Sequence, residues 1–151
     1  MIYIDTSALL KRYIREAKSD EFDQFFIANG DLHISRLCFV EARCALARRR
    51  RAKQISRTLE PKALDTLRQD LQDGAISIHA VSDQHIVNAY HLIEQLANLP
   101  LRTLDALHLA IAQGIAATGI ASADAHQIAA AKQLHFEVYP FTRVSMVKAH
   151  E

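Results

Sequence analysis

The chain has 151 residues, of which 50% are hydrophobic and 23% charged, with a formal net charge of +1. A domain of that length buries roughly 68–70% of its unfolded surface, so one compact core is expected and a disordered chain is excluded. Near-neutral charge gives no global attraction to nucleic acid, so any such contact must come from a local patch.

In chain order, Met1-Ile2-Tyr3-Ile4 lacks a basic leader and reaches an acid at position 5. It reads as a short strand rather than a signal peptide, and no apolar run approaches a membrane span, so cytoplasmic residence without membrane contact is expected. Asp5-Thr6-Ser7 offers side-chain acceptors that start a helix, and Leu9, Leu10, Tyr13 and Ile14 follow at helical spacing. Phe22, Phe25 and Phe26 mark a second helix ending near Asn29-Gly30, and Leu32 to Ser35 a strand. Leu37 to about Lys53 has neither Gly nor Pro and predicts a long helix. Its Cys38 and Cys44 point to different faces, which excludes a bridge between them, and both read as reduced core residues.

Pro61 and Gly74 bracket a helix carrying Leu64, Leu67 and Leu71, and Ile76 to Ile78 reads as a strand. After Val81-Ser82, Ile86, Tyr90, Ile93 and Leu96 or Ala97 form one apolar stripe on a further helix. Beyond Pro100, Leu104 to Ala117 is apolar almost all round, the pattern of a central buried helix. Ile120 to Ser122 is a minimal strand, Ala125 to Leu134 a helix, and Phe136 to Tyr139 a last strand. Short strands separated by helices imply parallel pairing in an α/β sandwich over residues 1–141, with a loosely held tail at 142–151.

Four acids stand in apolar segments: Asp5, Glu41, Asp105 and Asp124. Burying an ionised carboxylate is unfavourable without a cation or several hydrogen bonds. In an open parallel sheet, ligands bind outside the carboxyl ends of the strands, where Asp5 and Asp124 fall. Four carboxylates converging there would raise one another's pKa values unless a divalent cation neutralised them, and an all-oxygen set suits Mg²⁺ or Mn²⁺ rather than zinc. Such a site performs phosphodiester hydrolysis, activating water and stabilising the leaving oxygen. Taken singly, each acid has a structural alternative: Asp5 as a helix N-cap, Asp105 or Asp124 as a first-turn acid, Glu41 as a surface residue.

Met1-Ile2-Tyr3-Ile4-Asp5-Thr6-Ser7-Ala8-Leu9, Val40-Glu41-Ala42, Leu104-Asp105-Ala106-Leu107-His108-Leu109-Ala110 and Ala121-Ser122-Ala123-Asp124, in that order, resemble the motifs of PIN-domain nucleases. The chain is most similar to the toxins of VapBC toxin-antitoxin pairs, from Met1 to about Phe141. The resemblance implies a PIN-like α/β/α sandwich with a short-stranded, mainly parallel sheet. It also implies a Mg²⁺- or Mn²⁺-dependent endoribonuclease that inhibits translation, forms a homodimer and is neutralised by a VapB-type antitoxin. Asp5, Glu41, Asp105 and Asp124 become the catalytic, metal-binding acids, with Ser7 in support. Ser122 stands where the family often has Thr, and either hydroxyl can hydrogen-bond.

Arg48 to Arg51, with Arg43, Lys53 and Arg57, form the only dense basic region, and Arg43, Arg48 and Arg49 are candidate RNA contacts. A solvated helix face or an antitoxin contact is the alternative for this run. His108, three residues after Asp105, reads as a packed histidine supporting the acids rather than a metal ligand. Phe22, Phe25, Phe26 and the Arg-rich helix offer surface for partners. The rival readings are an inactive PIN-type binding module, against which all four acids are present, and a phosphoacceptor receiver domain, which wants an acidic pair after the first strand.

Overall fold

A computed structural model describes residues 1–143, and along them strands and helices alternate: β1 (Ile2–Ile4), α1 (Thr6–Tyr13), α2 (Ser19–Ala28), β2 (Leu32–Ser35), α3 (Arg36–Arg51), α4 (Leu59–Gln72), β3 (Ser77–His79), α5 (Asp83–Gln95), α6 (Thr103–Gly114), β4 (Gly119–Ser122), α7 (Ala125–Gln133) and β5 (Glu137–Pro140). The strands form one sheet in the order β3-β2-β1-β4-β5, with every neighbouring pair parallel. β1, β2 and β4 are buried at every residue, as a parallel sheet covered on both faces requires. The edge strands β3 and β5 are partly exposed, and Pro140, which has no N–H to donate, ends β5 at the sheet edge where no further strand needs a donor.

The chain steps outward from β1 to β2 and β3, then crosses back to β4 and β5. Right-handed crossovers put α1 to α4 on one face and α5 to α7 on the other, giving the expected α/β/α sandwich. The packing agrees, since α1 meets α2, α3 and α4 while α5 packs along α6. Strand order reverses between β1 and β4, and such a switch point opens a crevice at the carboxyl ends of the strands. The order also differs from the 2-1-3-4-5 arrangement of receiver-type folds, which removes that rival.

Helix boundaries follow local chemistry. Ser82 caps α5 by accepting from His85 N (3.3 Å), while His85 Nδ1 accepts from Ser82 N (3.0 Å), so a histidine fills the place usually taken by Glu or Gln. Gly74 follows α4 at φ +73, a left-handed position that a residue without Cβ adopts at no steric cost. No helix among the described residues is long and apolar enough to cross a membrane.

Several sequence expectations need correction. Phe22 and Phe26 are core residues and Phe25 packs against that core, so they are not partner surface. Most of the α5 stripe is turned outward: Ile86, Tyr90 and Ile93 are exposed, as is the neighbouring Val87, while the stripe's last member Leu96 packs inward with Ala89 and Leu92. Helical period locates an apolar face but does not say what covers it. Cys44 is exposed while Cys38 is buried, since two residues on different faces of α3 cannot both meet the core. β3 begins at Ser77, one residue after the buried Ile76, and β5 runs one residue later than expected. Beyond Arg143, the expected tail lies outside the described residues.

Candidate active site

Asp5, Glu41, Asp105 and Asp124 all line one cleft of about 750 Å³ at the carboxyl ends of β1 and β4. Asp5 prolongs β1, its N–H donating to Ala121 O (3.0 Å), and then caps α1 through Oδ1, which accepts from Ala8 N (3.0 Å) and Ser7 Oγ (2.6 Å). Asp124 caps α7, its Oδ1 accepting from His126 N (2.8 Å) and Gln127 N (3.0 Å). Asp105 Oδ2 accepts from Arg102 N (3.2 Å) at the start of α6. Glu41 Oε1, on α3, meets Thr6 Oγ1 (2.8 Å) and His108 Nε2 (2.5 Å).

One pattern unites the four. Each carboxylate is anchored through one oxygen, while Asp5 Oδ2, Glu41 Oε2, Asp105 Oδ1 and Asp124 Oδ2 accept no hydrogen bond among the described residues. Capping and ligation are therefore compatible roles, because a cap occupies only one of two oxygens.

The serines act as struts. Ser7 Oγ donates to Asp5 and accepts from Ala123 N (2.8 Å), joining the ends of β1 and β4, and the buried Ser122 Oγ accepts from Asp124 N (3.0 Å). Behind Glu41, the buried His108 uses Nε2 on that carboxylate and Nδ1 on Tyr3 Oη (2.7 Å), which also reaches Ser35 Oγ (2.9 Å). Burial works against a charged imidazole, but the sulfur of Cys38, the Glu41 hydrogen bond and the charge on Asp5 outweigh it and push His108 up to about 10. Burial raises the Asp5 carboxyl, opposed by the charge of His108 and by the hydroxyls of Ser122 and Ser7. Burial would also raise Glu41, but its hydrogen bond to His108 and that imidazolium's charge hold it below the usual range. His108 is thus a packed support, as its position after Asp105 suggested.

A family profile of the PIN domain matches residues 2–133. The chain belongs to the PIN-domain family. No curated protein sequence matches it. Among solved structures it is similar to the sarcin-ricin loop cleaving toxin VapC20 of Mycobacterium tuberculosis, at 15% identity and a TM-score of 0.70 over 86% of this chain and 95% of that one. A toxin-antitoxin complex from Klebsiella pneumoniae matches at 18% identity and a TM-score of 0.60, covering 85% and 91%. VapBC2 of Rickettsia felis, bound to a DNA fragment from its promoter, matches at 16% identity and a TM-score of 0.64, covering 93% and 98%.

Five cations also line the cleft of this PIN domain. Lys11, Arg48, Arg49, Arg102 and Arg143 share its lining with the acids. Arg49 is tied to Glu16 (2.7 Å), which also holds Lys11 (3.2 Å), whereas Arg48 is exposed and makes no ion pair among the described residues. Arg43 does not line the cleft: it points toward Glu60 (3.9 Å), which also pairs with Arg50. Two of the three expected RNA contacts therefore face the cleft and one does not, because residues five or six apart on a helix point differently. Arg102, Thr6 and Tyr3 were not singled out from the sequence. For Arg102, a cation three residues before Asp105 was the available signal, whereas nothing local marked Tyr3.

Four carboxylate oxygens that accept no hydrogen bond, with both His108 ring nitrogens already engaged, form a donor set whose chemistry fits a hard divalent cation. Among the described residues, however, no three His, Cys, Asp or Glu side chains are grouped closely enough to hold one ion. The cleft gathers the four acids without drawing them into a closed ligand shell.

Proposed function

We propose that this PIN domain is a Mg²⁺- or Mn²⁺-dependent endoribonuclease and the toxin of a type II toxin-antitoxin pair that inhibits translation. The observation that carries the reading is that all four acids line one cleft and each keeps one oxygen that accepts no hydrogen bond among the described residues. Asp5, Glu41, Asp105 and Asp124 would hold the cation, which when bound supplies an activated water and stabilises the leaving oxygen. Ser7 and Ser122 set the carboxylates of Asp5 and Asp124, His108 and Thr6 fix Glu41, and Arg48 and Arg49 offer positive charge to the RNA backbone. The toxins and toxin-antitoxin complexes among the similar structures support a VapB-type antitoxin as partner. The outward apolar face of α5 supports homodimerisation. The domain would span residues 1–141 and act in the cytoplasm.

Incubating the purified protein with a structured RNA tests this directly. Cleavage should need Mn²⁺ or Mg²⁺, stop in EDTA and be lost in Asp5→Asn. Intact RNA in the presence of either metal, or equal cleavage by the Asn variant, refutes the nuclease. Growth arrest on expression, relieved by the adjacent gene's small protein, tests the toxin role.

A further inference from the structure

Arg102 immediately precedes α6, and 78% of its side chain is exposed, yet its guanidinium lies between two of the site's acids. Nε is 3.7 Å from Asp105 Oδ2 and Nη2 is 3.8 Å from Asp124 Oδ2. These distances give charge attraction without hydrogen bonds, so the guanidinium is held in place by the two negative charges alone. Asp105 and Asp124 belong to different helices and are linked otherwise through Gln127, whose Nε2 donates to Asp105 O (3.3 Å). Asp124 Oδ2, the oxygen facing Arg102, is one of the four that accept no hydrogen bond.

A monovalent side-chain cation thus stands where the acids need a counter-charge. A divalent ion taken up by the same carboxylates would face a positive guanidinium less than about 4 Å from its ligand atoms, and like charges at that range repel. The two occupancies are linked: whatever holds the guanidinium on the acids weakens metal binding, and the reverse holds equally. An exposed arginine released into a cleft also lined by Arg48 and Arg49 has one natural partner, a phosphate, to which its planar fork is matched.

Building on the nuclease reading, we propose that Arg102 is an internal competitor for the divalent cation, displaced from Asp105 and Asp124 when the ion binds and then engaged by substrate phosphate. The test is a direct Mn²⁺ titration of the metal-stripped protein by calorimetry, comparing the parent with Arg102→Gln, Arg102→Lys, Asp105→Asn and Asp124→Asn. Arg102→Gln should bind Mn²⁺ about three- to tenfold more tightly, the scale of one or two exposed ion pairs. Arg102→Lys should lie between, while the Asn variants bind more weakly. The Gln variant should also show a severalfold higher KM for RNA, so metal affinity and substrate affinity move in opposite directions. Folding is expected to survive because Asp105 is capped by the backbone N–H of Arg102, which every variant retains. Thermal unfolding in EDTA checks this, with the Gln variant slightly below the parent and recovering with Mn²⁺. Unchanged or weaker Mn²⁺ binding in Arg102→Gln, with the Asn variants still impaired, overturns the competitor role alone. Mn²⁺ binding indifferent to both Asn substitutions overturns the metal site itself and the competitor with it.

Discussion

Asp5 and Glu41 accept from side chains, with Ser7, Thr6 and a buried His108 backed by Tyr3 around them and Ala8 N adding a backbone donor to Asp5, whereas Asp105 and Asp124 accept from backbone N–H groups only and are faced by one exposed arginine. The first half of the cleft is compensated internally. Its histidine is shared with the core, so its electrostatics and the stability of the domain are coupled. The second half relies on helix starts alone, without side-chain donors, and leaves its counter-charge to an exposed arginine. Losses in the first half should therefore be global, and those in the second local.

The largest effect expected from that contrast is on His108. In His108→Leu, Glu41 and Tyr3 lose a buried partner, and stability should fall by about 3–5 kcal/mol in urea unfolding, as for other broken buried pairs. Tyr3→Phe removes one hydroxyl and should cost nearer 1 kcal/mol. A loss in His108→Leu no larger than in Tyr3→Phe would show that the histidine does not couple Glu41 to the core.

Asp5→Asn separates charge from capping within the first half. Asparagine caps as well as aspartate, while the buried charge disappears. RNA cleavage should drop by more than about a hundredfold, the upper end of what losing a mere outer-shell partner costs. In EDTA, the melting temperature should be equal to or above the parent's. A marked drop in melting temperature would mean that the anionic form is needed for folding.

The pH dependence of the metal-free protein sharpens the same point. His108 is raised from its ordinary value to about 10 in the folded state. Its stabilising contribution is therefore complete below about 6.5 and lost as pH rises toward 10, at up to about 1.4 kcal/mol per pH unit. Glu41 is depressed, so its contribution is present above its unfolded value and lost in acid as pH falls through the folded one. Unfolding followed from pH 7 to 10 should show the alkaline decline in the parent and a flatter profile in His108→Asn.

In the second half, Asp124→Ala should cost about 1 kcal/mol through the lost α7 cap and Asp124→Asn only a few tenths, although both lose cleavage. The smallest effects belong to the basic rim. Arg48→Ala should raise the KM for RNA severalfold and reduce the salt slope by about one, while Arg43→Ala, directed toward Glu60, should change neither.

Order and type of the elements were legible in the sequence because they depend on local pattern: an apolar triplet before helix signals at Ile2–Ile4, a cap at Asp5, an unbroken run of helix formers after Leu37, and Gly74 as a stop. The four acids were legible as well, since a carboxylate in an apolar segment stands out against its neighbours. Which way a stripe or a cation faces is not a local property. Ile86 and Tyr90 keep helical period whether a sheet or solvent lies beneath them, and Arg43 and Arg48 are equivalent in sequence until α4 brings Glu60 beside one and the cleft opens beside the other. Tertiary packing alone also decided that Tyr3 and His108, 105 residues apart, share a hydrogen bond, and that Arg102 faces Asp124 as well as its helix neighbour Asp105. Hydrogen bonds and charges act over a few ångströms, and only the crossing of the chain between β3 and β4 brings those residues within that range.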